Sequence, residues 1–175
     1  MVTSTKERIL LCEDDPESAA GTISLLRDEF DIVVAGDKET AMHYIDKSMK
    51  FDDPRERYAV AVIDLKFFEE EVLGFDILEE VLGRDAYLEC IVYTATGSEA
   101  KSSEAQQRGA FRYVIKPGGN VLRGAVRAAI GVRRSILGIQ QLVANLAKAD
   151  PAVLAVSRAV LNFAMALRGR LPEQS

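Results

Sequence analysis

The sequence predicts an α/β fold, a parallel sheet covered by helices on both faces, and three observations carry that prediction. Short apolar runs alternate with stretches of helical periodicity along the first two thirds of the chain. The runs are apolar throughout, without the alternation of a sheet that wets one side, so both faces need cover. The 175 residues are 48% hydrophobic and 28% charged, the balance of a globular chain long enough for a sizeable core.

The elements follow in order. Ile9–Cys12 reads as the first strand, and Asp15-Pro16 as the cap and first position of a helix over Glu17–Phe30. Ile32–Ala35 is a second strand and Glu39–Met49 a second helix. After the charged loop "FDDPRERY", the run "AVAVIDL" is a third strand that ends on Asp64. A helix over Phe75–Leu82, a strand over Leu88–Ala95, a polar helix over Ser98–Arg108 and a strand over Phe111–Ile115 complete the alternation.

In open parallel sheets ligands bind beyond the carboxyl ends of the strands. The residues there are Glu13 and Asp14, then Asp64, then Thr94 and Ala95, then Lys116 and Pro117. Like charges gathered in one crevice need a cation, a basic side chain or protonation to compensate them. Mg²⁺ suits such a set, since it takes a few carboxylates along with waters and phosphate oxygens. Asp14 and Asp64 can supply two of the oxygens, with Glu13 holding a bound water. Asp64 is then placed as a nucleophile toward phosphorus, and Lys116 adds positive charge. Thr94 can hydrogen-bond a phosphoryl oxygen, and the small Ala95 leaves room for approach. Taken singly, each has a plainer reading: a helix cap, a β-forming threonine, a loop lysine. Their joint occurrence at the ends of different strands favours a site.

The segments "ILLCEDDPE", "AVAVIDL", "IVYTAT" and "GAFRYVIKP" resemble, in order and at suitable intervals, the receiver domain of two-component response regulators, over roughly residues 6–134. The resemblance implies a flavodoxin-like, doubly wound sheet of five parallel strands. It implies Mg²⁺-dependent transfer of a phosphoryl group from a histidine kinase to Asp64. The metal ligands would be Glu13, Asp14, Asp64 and the backbone carbonyl of Lys66. Thr94, Lys116 and the Ala95 amide would contact the phosphoryl group, and Thr94 with Tyr113 would form the switch. The Lys116–Pro117 bond would be cis.

Two features depart from the family pattern. Glu13 stands where the family usually has Asp, an accepted variant. The loop after Asp64, "LKFFEEEVLG", lacks the usual Met-Pro, and its Gly74 comes ten residues after Asp64, later than is typical. Phe67, Phe68 and Glu69–Glu71 either alter partner choice and the lifetime of the phosphorylated state, or form a tolerated surface insertion.

Charge is uneven. The first 119 residues carry 14 Lys/Arg and 25 Asp/Glu, the remainder eight and two. This reads as an acidic pocket with a solvated basic tail. Cys12 and Cys90 lie in apolar strands without metal-type spacing and read as buried, reduced thiols. No signal-peptide pattern precedes the first strand, and no apolar run approaches the ~20 residues needed to span a bilayer. A soluble, cytoplasmic protein is expected. His43, the only histidine, lies mid-helix away from every strand end and reads as non-catalytic.

The organisation expected is a receiver domain over 1–134 and a helical extension over 135–175. Leu122, Ala125, Ala129, Val132, Ile136, Ile139, Val143 and Leu146 recur three and four apart, an apolar seam running from the last receiver helix into the tail. Gly124, Gly131 and Gly138 lie beside it, either by chance or to admit a close helix. Asp150-Pro151 reads as the start of a further helix, to Leu171. Packing on the sheet domain would cover these faces; a homodimer through helical hairpins is the reading preferred here. The tail is too short for a winged-helix module and contains no histidine for phosphotransfer.

The function expected is that of a signalling phospho-acceptor rather than an enzyme, with Asp64 catalysing only its own phosphorylation and dephosphorylation. A sensor histidine kinase or phosphotransfer protein is the expected partner, with no membrane and no nucleic acid engaged by this chain. Two alternatives stand beside it. One is the N-terminal part of a DNA-binding regulator. The other is an aspartyl-nucleophile phosphatase, which needs a second Asp where this chain has Lys66.

Overall fold

A computed structural model describes residues 6–66 and 71–149, together with positions 156, 159, 162 and 163. The elements are β1 (Arg8–Cys12), α1 (Pro16–Leu26), β2 (Asp31–Ala35), α2 (Lys38–Ser48), β3 (Tyr58–Ile63), α3 (Glu71–Arg84), β4 (Glu89–Thr94), α4 (Glu99–Gln107), β5 (Arg112–Ile115) and α5 (Gly119–Ala149). The five strands form one parallel sheet in the order β2-β1-β3-β4-β5. This is the flavodoxin-like doubly wound arrangement, which places a crevice beyond the carboxyl ends of β1 and β3.

Strand burial explains the apolar runs. Every residue of β3 and β4 is buried, whereas the edge strands β2 and β5 are partly open. Side chains that alternate along the strands feed two cores. Leu10, Cys12, Ala61, Ile63, Cys90 and Val92 pack with residues of α2, α3 and α4. Ile9, Leu11, Val60, Val62, Ile91 and Tyr93 pack with residues of α1 and of α5 up to Ile130. Each fully buried aliphatic side chain contributes roughly 1.5–3 kcal/mol, so both faces are needed to hold a sheet this apolar.

The helix boundaries follow local chemistry. Asp15 caps α1, its carboxylate accepting from the backbone N–H groups of Glu17 and Ser18, and Pro16 occupies the first turn. The helix stops at Leu26, four residues short of the expected Phe30, where the chain turns into β2. α3 begins at Glu71, four residues before the expected Phe75. Cys12 and Cys90 are both buried, as expected, and burial pushes the Cys12 thiol up to about 12. His43 is exposed on α2.

The chain divides into two compact units, Met1–Ile130 and Gly131–Ser175. In the first, Leu122, Ala125 and Ala129 are covered by the sheet and belong to its core. This corrects the reading of one continuous seam in need of a helical partner. Apolar residues three and four apart fit a sheet face as well as a second helix, so spacing alone does not tell the two apart. In the second unit Val132, Ile139, Leu142 and Leu146 are exposed and Ile136 is buried. Val156 and Phe163 are helical and exposed. The Asp150-Pro151 start and the other positions of the helix expected to Leu171 lie outside the described residues. Among the described residues, no helix is long and apolar enough to cross a membrane.

Candidate functional site

Main-chain hydrogen bonds carry the sheet one residue past its strands and place the polar side chains. The Glu13 N–H donates to the Ala35 carbonyl (3.1 Å), that of Asp64 to Cys12 (3.0 Å) and that of Lys116 to Thr94 (2.8 Å). Glu13 thus follows β1, Asp64 follows β3, Thr94 ends β4 and Lys116 follows β5. Strand order sets these groups side by side at one end of the sheet.

Lys116 is the centre of the arrangement. Its ammonium donates to Asp64 Oδ2 at 2.7 Å, to Glu13 Oε2 at 2.6 Å and to Ser18 Oγ at 2.6 Å, which uses all three of its protons. Glu13 and Asp64 are only 4% and 7% exposed, so both carboxylates need such a partner. Burial pushes the Lys116 ammonium down, but hydrogen bonds and charge from Asp64 and Glu13 outweigh it and hold the group above its ordinary value. The ammonium also stands 5.5 Å from the centre of the Tyr93 ring. Of the three ways to compensate the acidic cluster, the chain itself provides the basic side chain.

The remaining expected residues are placed as follows. The Lys66 N–H donates to Asp64 Oδ1 at 3.1 Å, and the Lys66 side chain is exposed. Asp14 is half-buried beside Glu13 and Ala95 is exposed just past β4. Thr94 is fully buried, and its hydroxyl has no hydrogen-bond partner. Tyr113 is half-buried, with its hydroxyl donating to the Thr96 carbonyl at 2.9 Å. The Lys116–Pro117 bond is cis, as expected. Residues 67–70, four of the five loop residues read either as modulating partner choice and phosphorylation lifetime or as a tolerated insertion, lie outside the described residues.

The residues present fit Mg²⁺ with a phosphoryl group. Among the described residues, no three Asp, Glu, His or Cys side chains gather closely enough to enclose a metal alone. Mg²⁺ does not require that, because it keeps several waters and takes one or two carboxylates with a phosphoryl oxygen. The orphaned Thr94 hydroxyl is a buried donor awaiting an acceptor, a costly feature in a structure without a use for it.

Two contributors are not legible in the sequence. Ser18, one turn into α1, joins Glu13 and Lys116; nothing marks it among the polar residues of a helix start. Gly74 packs against the backbone of Asp64 and Leu65 so closely that any side chain would collide. The only sequence signal is its altered distance from Asp64.

Residues 9–127 match the sequence model of the response regulator receiver domain. Several solved structures are similar in fold over most of the chain. A CheY-like receiver domain protein from Methanospirillum hungatei JF-1 is 20% identical with a TM-score of 0.63, covering 75% of this chain and 98% of that one. A receiver domain protein from Clostridium thermocellum is 22% identical at 0.65, covering 74% and 98%. A protein named as the adenylate cyclase of Rhodopirellula baltica is 21% identical at 0.67, covering 79% and 97%. At these identities the likeness is one of fold. No curated protein matches the chain at a significant level.

Proposed function

The chain belongs to the response regulator receiver domain family, and on that premise we propose that it is a signalling switch driven by phosphorylation of Asp64. The observation that carries the reading is the meeting of Asp64, Glu13 and Lys116 beside an unpartnered, buried Thr94 hydroxyl.

In this reading an Asp64 carboxylate oxygen attacks the phosphorus of a phosphohistidine on a sensor kinase or phosphotransfer protein. The new bond is O–P, the bond broken is P–N, and the imidazole leaves with the electron pair. Asp14, Asp64 and the Lys66 carbonyl would hold Mg²⁺, with Glu13 reaching its hydration shell, and the ion would supply positive charge toward the phosphoryl oxygens. Lys116 holds the Asp64 carboxylate oriented before transfer and offers its ammonium to a phosphoryl oxygen afterwards. Thr94 donates its free hydroxyl to a second oxygen, and the Ala95 backbone amide to the same group. As Thr94 turns toward the phosphoryl group, Tyr113 gives up the Thr96 carbonyl and moves inward, which biases a two-state element. Hydrolysis of the aspartyl-phosphate resets the switch, so the chain is not an enzyme acting on other substrates.

The tail serves the output. Exposed Ile139, Leu142 and Leu146 support a homodimer through this helix. A cytoplasmic location is in keeping with two reduced, buried thiols.

The test is incubation with acetyl phosphate and Mg²⁺, followed by mass spectrometry of the peptides. One phosphoryl group on Asp64 is expected, absent from Asp64→Asn and from samples with EDTA. Label that persists in either case would overturn the reading.

A further inference from the structure

We propose that Ser18 is a positioning residue that pins the Glu13 carboxylate and thereby sets the affinity of this site for Mg²⁺; the inference rests on the phosphoryl-transfer reading above. Its hydroxyl donates to Glu13 Oε2 at 2.7 Å and accepts from the Lys116 ammonium at 2.6 Å, while that ammonium donates to the same Oε2 at 2.6 Å. The three groups form a closed ring in which each polar atom has a partner. Ser18 is itself held in place, since its backbone N–H donates to the capping carboxylate of Asp15 at 3.3 Å.

A serine inside a helix ordinarily turns its hydroxyl back to the carbonyl one turn earlier or out to solvent. Ser18 does neither. Its hydroxyl points off the helix onto Glu13, and its own carbonyl accepts from the Thr22 hydroxyl instead.

Glu13 gives this contact its purpose. A glutamate has one more methylene and one more rotatable bond than an aspartate, so its carboxylate is harder to hold in one place. Here Oε2 is taken by Ser18 and Lys116. Oε1 has a single long contact, the Asp15 N–H at 3.4 Å, and remains the oxygen free to serve the hydration shell of a cation. Hydrogen-bond partners behind a ligand orient it before a metal arrives. The short carboxylate of an aspartate at position 13 would not need the pin. The serine and the longer acid therefore belong together.

The experiment compares the full chain with Ser18→Ala, Ser18→Thr, Glu13→Asp and Glu13→Asp/Ser18→Ala. Mg²⁺ binding is measured by titration calorimetry, labelling of Asp64 by acetyl phosphate, and folding by thermal denaturation. Ser18→Ala should weaken Mg²⁺ binding roughly tenfold, with Ser18→Thr within about twofold of the parent. Labelling by Ser18→Ala should be slow at low Mg²⁺ and recover at saturating Mg²⁺, a split that a general loss of structure would not give. In the Glu13→Asp background, removing Ser18 should change Mg²⁺ affinity little. Should Ser18→Ala fail to fold, Ser18→Cys, which keeps the shape and weakens the hydrogen bond, takes its place. Parental Mg²⁺ affinity in Ser18→Ala, or an equal loss in both backgrounds, would overturn the inference and leave Asp64 phosphorylation standing. A parent chain that neither binds Mg²⁺ nor labels at Asp64 would overturn both.

Discussion

Gly74 of α3 lies against the backbone of Asp64: a methyl group built on it would stand 2.5 Å from the Asp64 carbonyl oxygen and 2.6 Å from that of Leu65. The position of Asp64 is thus set partly by a residue that has no side chain.

The first prediction follows from that contact. Gly→Ala in a helix interior normally stabilises by roughly 0.5–1 kcal/mol. At Gly74 the added methyl must push the Asp64–Leu65 backbone, an overpacking worth about 1–3 kcal/mol. Gly74→Ala should therefore destabilise the fold and slow labelling of Asp64. At Gly124, where nothing lies within 4 Å, Gly→Ala should stabilise. Urea denaturation of the two variants reads the opposite signs, and equal shifts would refute the packing argument.

Thr94 yields a prediction in which stability and function part. Valine keeps its shape and removes a buried hydroxyl that has no partner. Thr94→Val should leave stability unchanged or raise it by up to about 1 kcal/mol. The same variant should lose the response of Tyr113 to a phosphoryl mimic such as beryllofluoride, followed by the NMR signals of its ring. A full response in Thr94→Val would remove Thr94 from the switch.

Asp37 gives a pH dependence. It caps α2, accepting the Thr40 N–H at 2.6 Å and the Thr40 hydroxyl at 2.8 Å. The Thr40 N–H first, then its hydroxyl, hold the carboxyl below its ordinary value of 3.8, against a smaller opposing effect of burial. Such a group stabilises fully above its unfolded value, and the effect is lost as pH falls through the lower, folded one. Asp37→Ala should cost about 1 kcal/mol at neutral pH. The gap from the parent should close in acid, below the ordinary carboxylate value. A gap that persists at pH 2 would show that the cap acts by other means.

The tail prediction concerns assembly. Ile139 and Leu142 are 40% and 58% exposed, one turn apart on the same helix. Covering such side chains in a partner yields roughly 1.5–3 kcal/mol each when burial is complete. Size-exclusion chromatography with light scattering should give the mass of two chains without phosphorylation. Ile139→Glu with Leu142→Glu should give one chain, with Asp64 labelling intact. Ile136 is left unaltered because it is already buried. A monomeric parent, or a dimeric double variant, would place the interface elsewhere or nowhere.

Much of the site was legible because strand ends are legible. An apolar run that stops at a carboxylate fixes both the strand and the residue that leaves it, as in Val62-Ile63-Asp64. The helix cap at Asp15 is likewise a local signal, a carboxylate two and three residues from the N–H groups it accepts. The seam was misleading for the same reason that it was visible. Three-and-four spacing reports an apolar face, and Leu122, Ala125 and Ala129 turn that face to a sheet.

The sequence by itself determined the order of strands and helices, the buried character of the strands, and the set of polar residues at their carboxyl ends. These depend on neighbours in the chain, through side-chain periodicity and the hydrogen bonds of capping residues. Only the tertiary structure decided which polar residues touch. Lys116 reaches Glu13 across 103 residues of chain and Asp64 across 52, and Ser18 enters through the same ammonium. Neither partner's local sequence records the other. The contact exists because two cores hold five strands in one register, and because two buried carboxylates left without that ammonium would bear the full cost of desolvation.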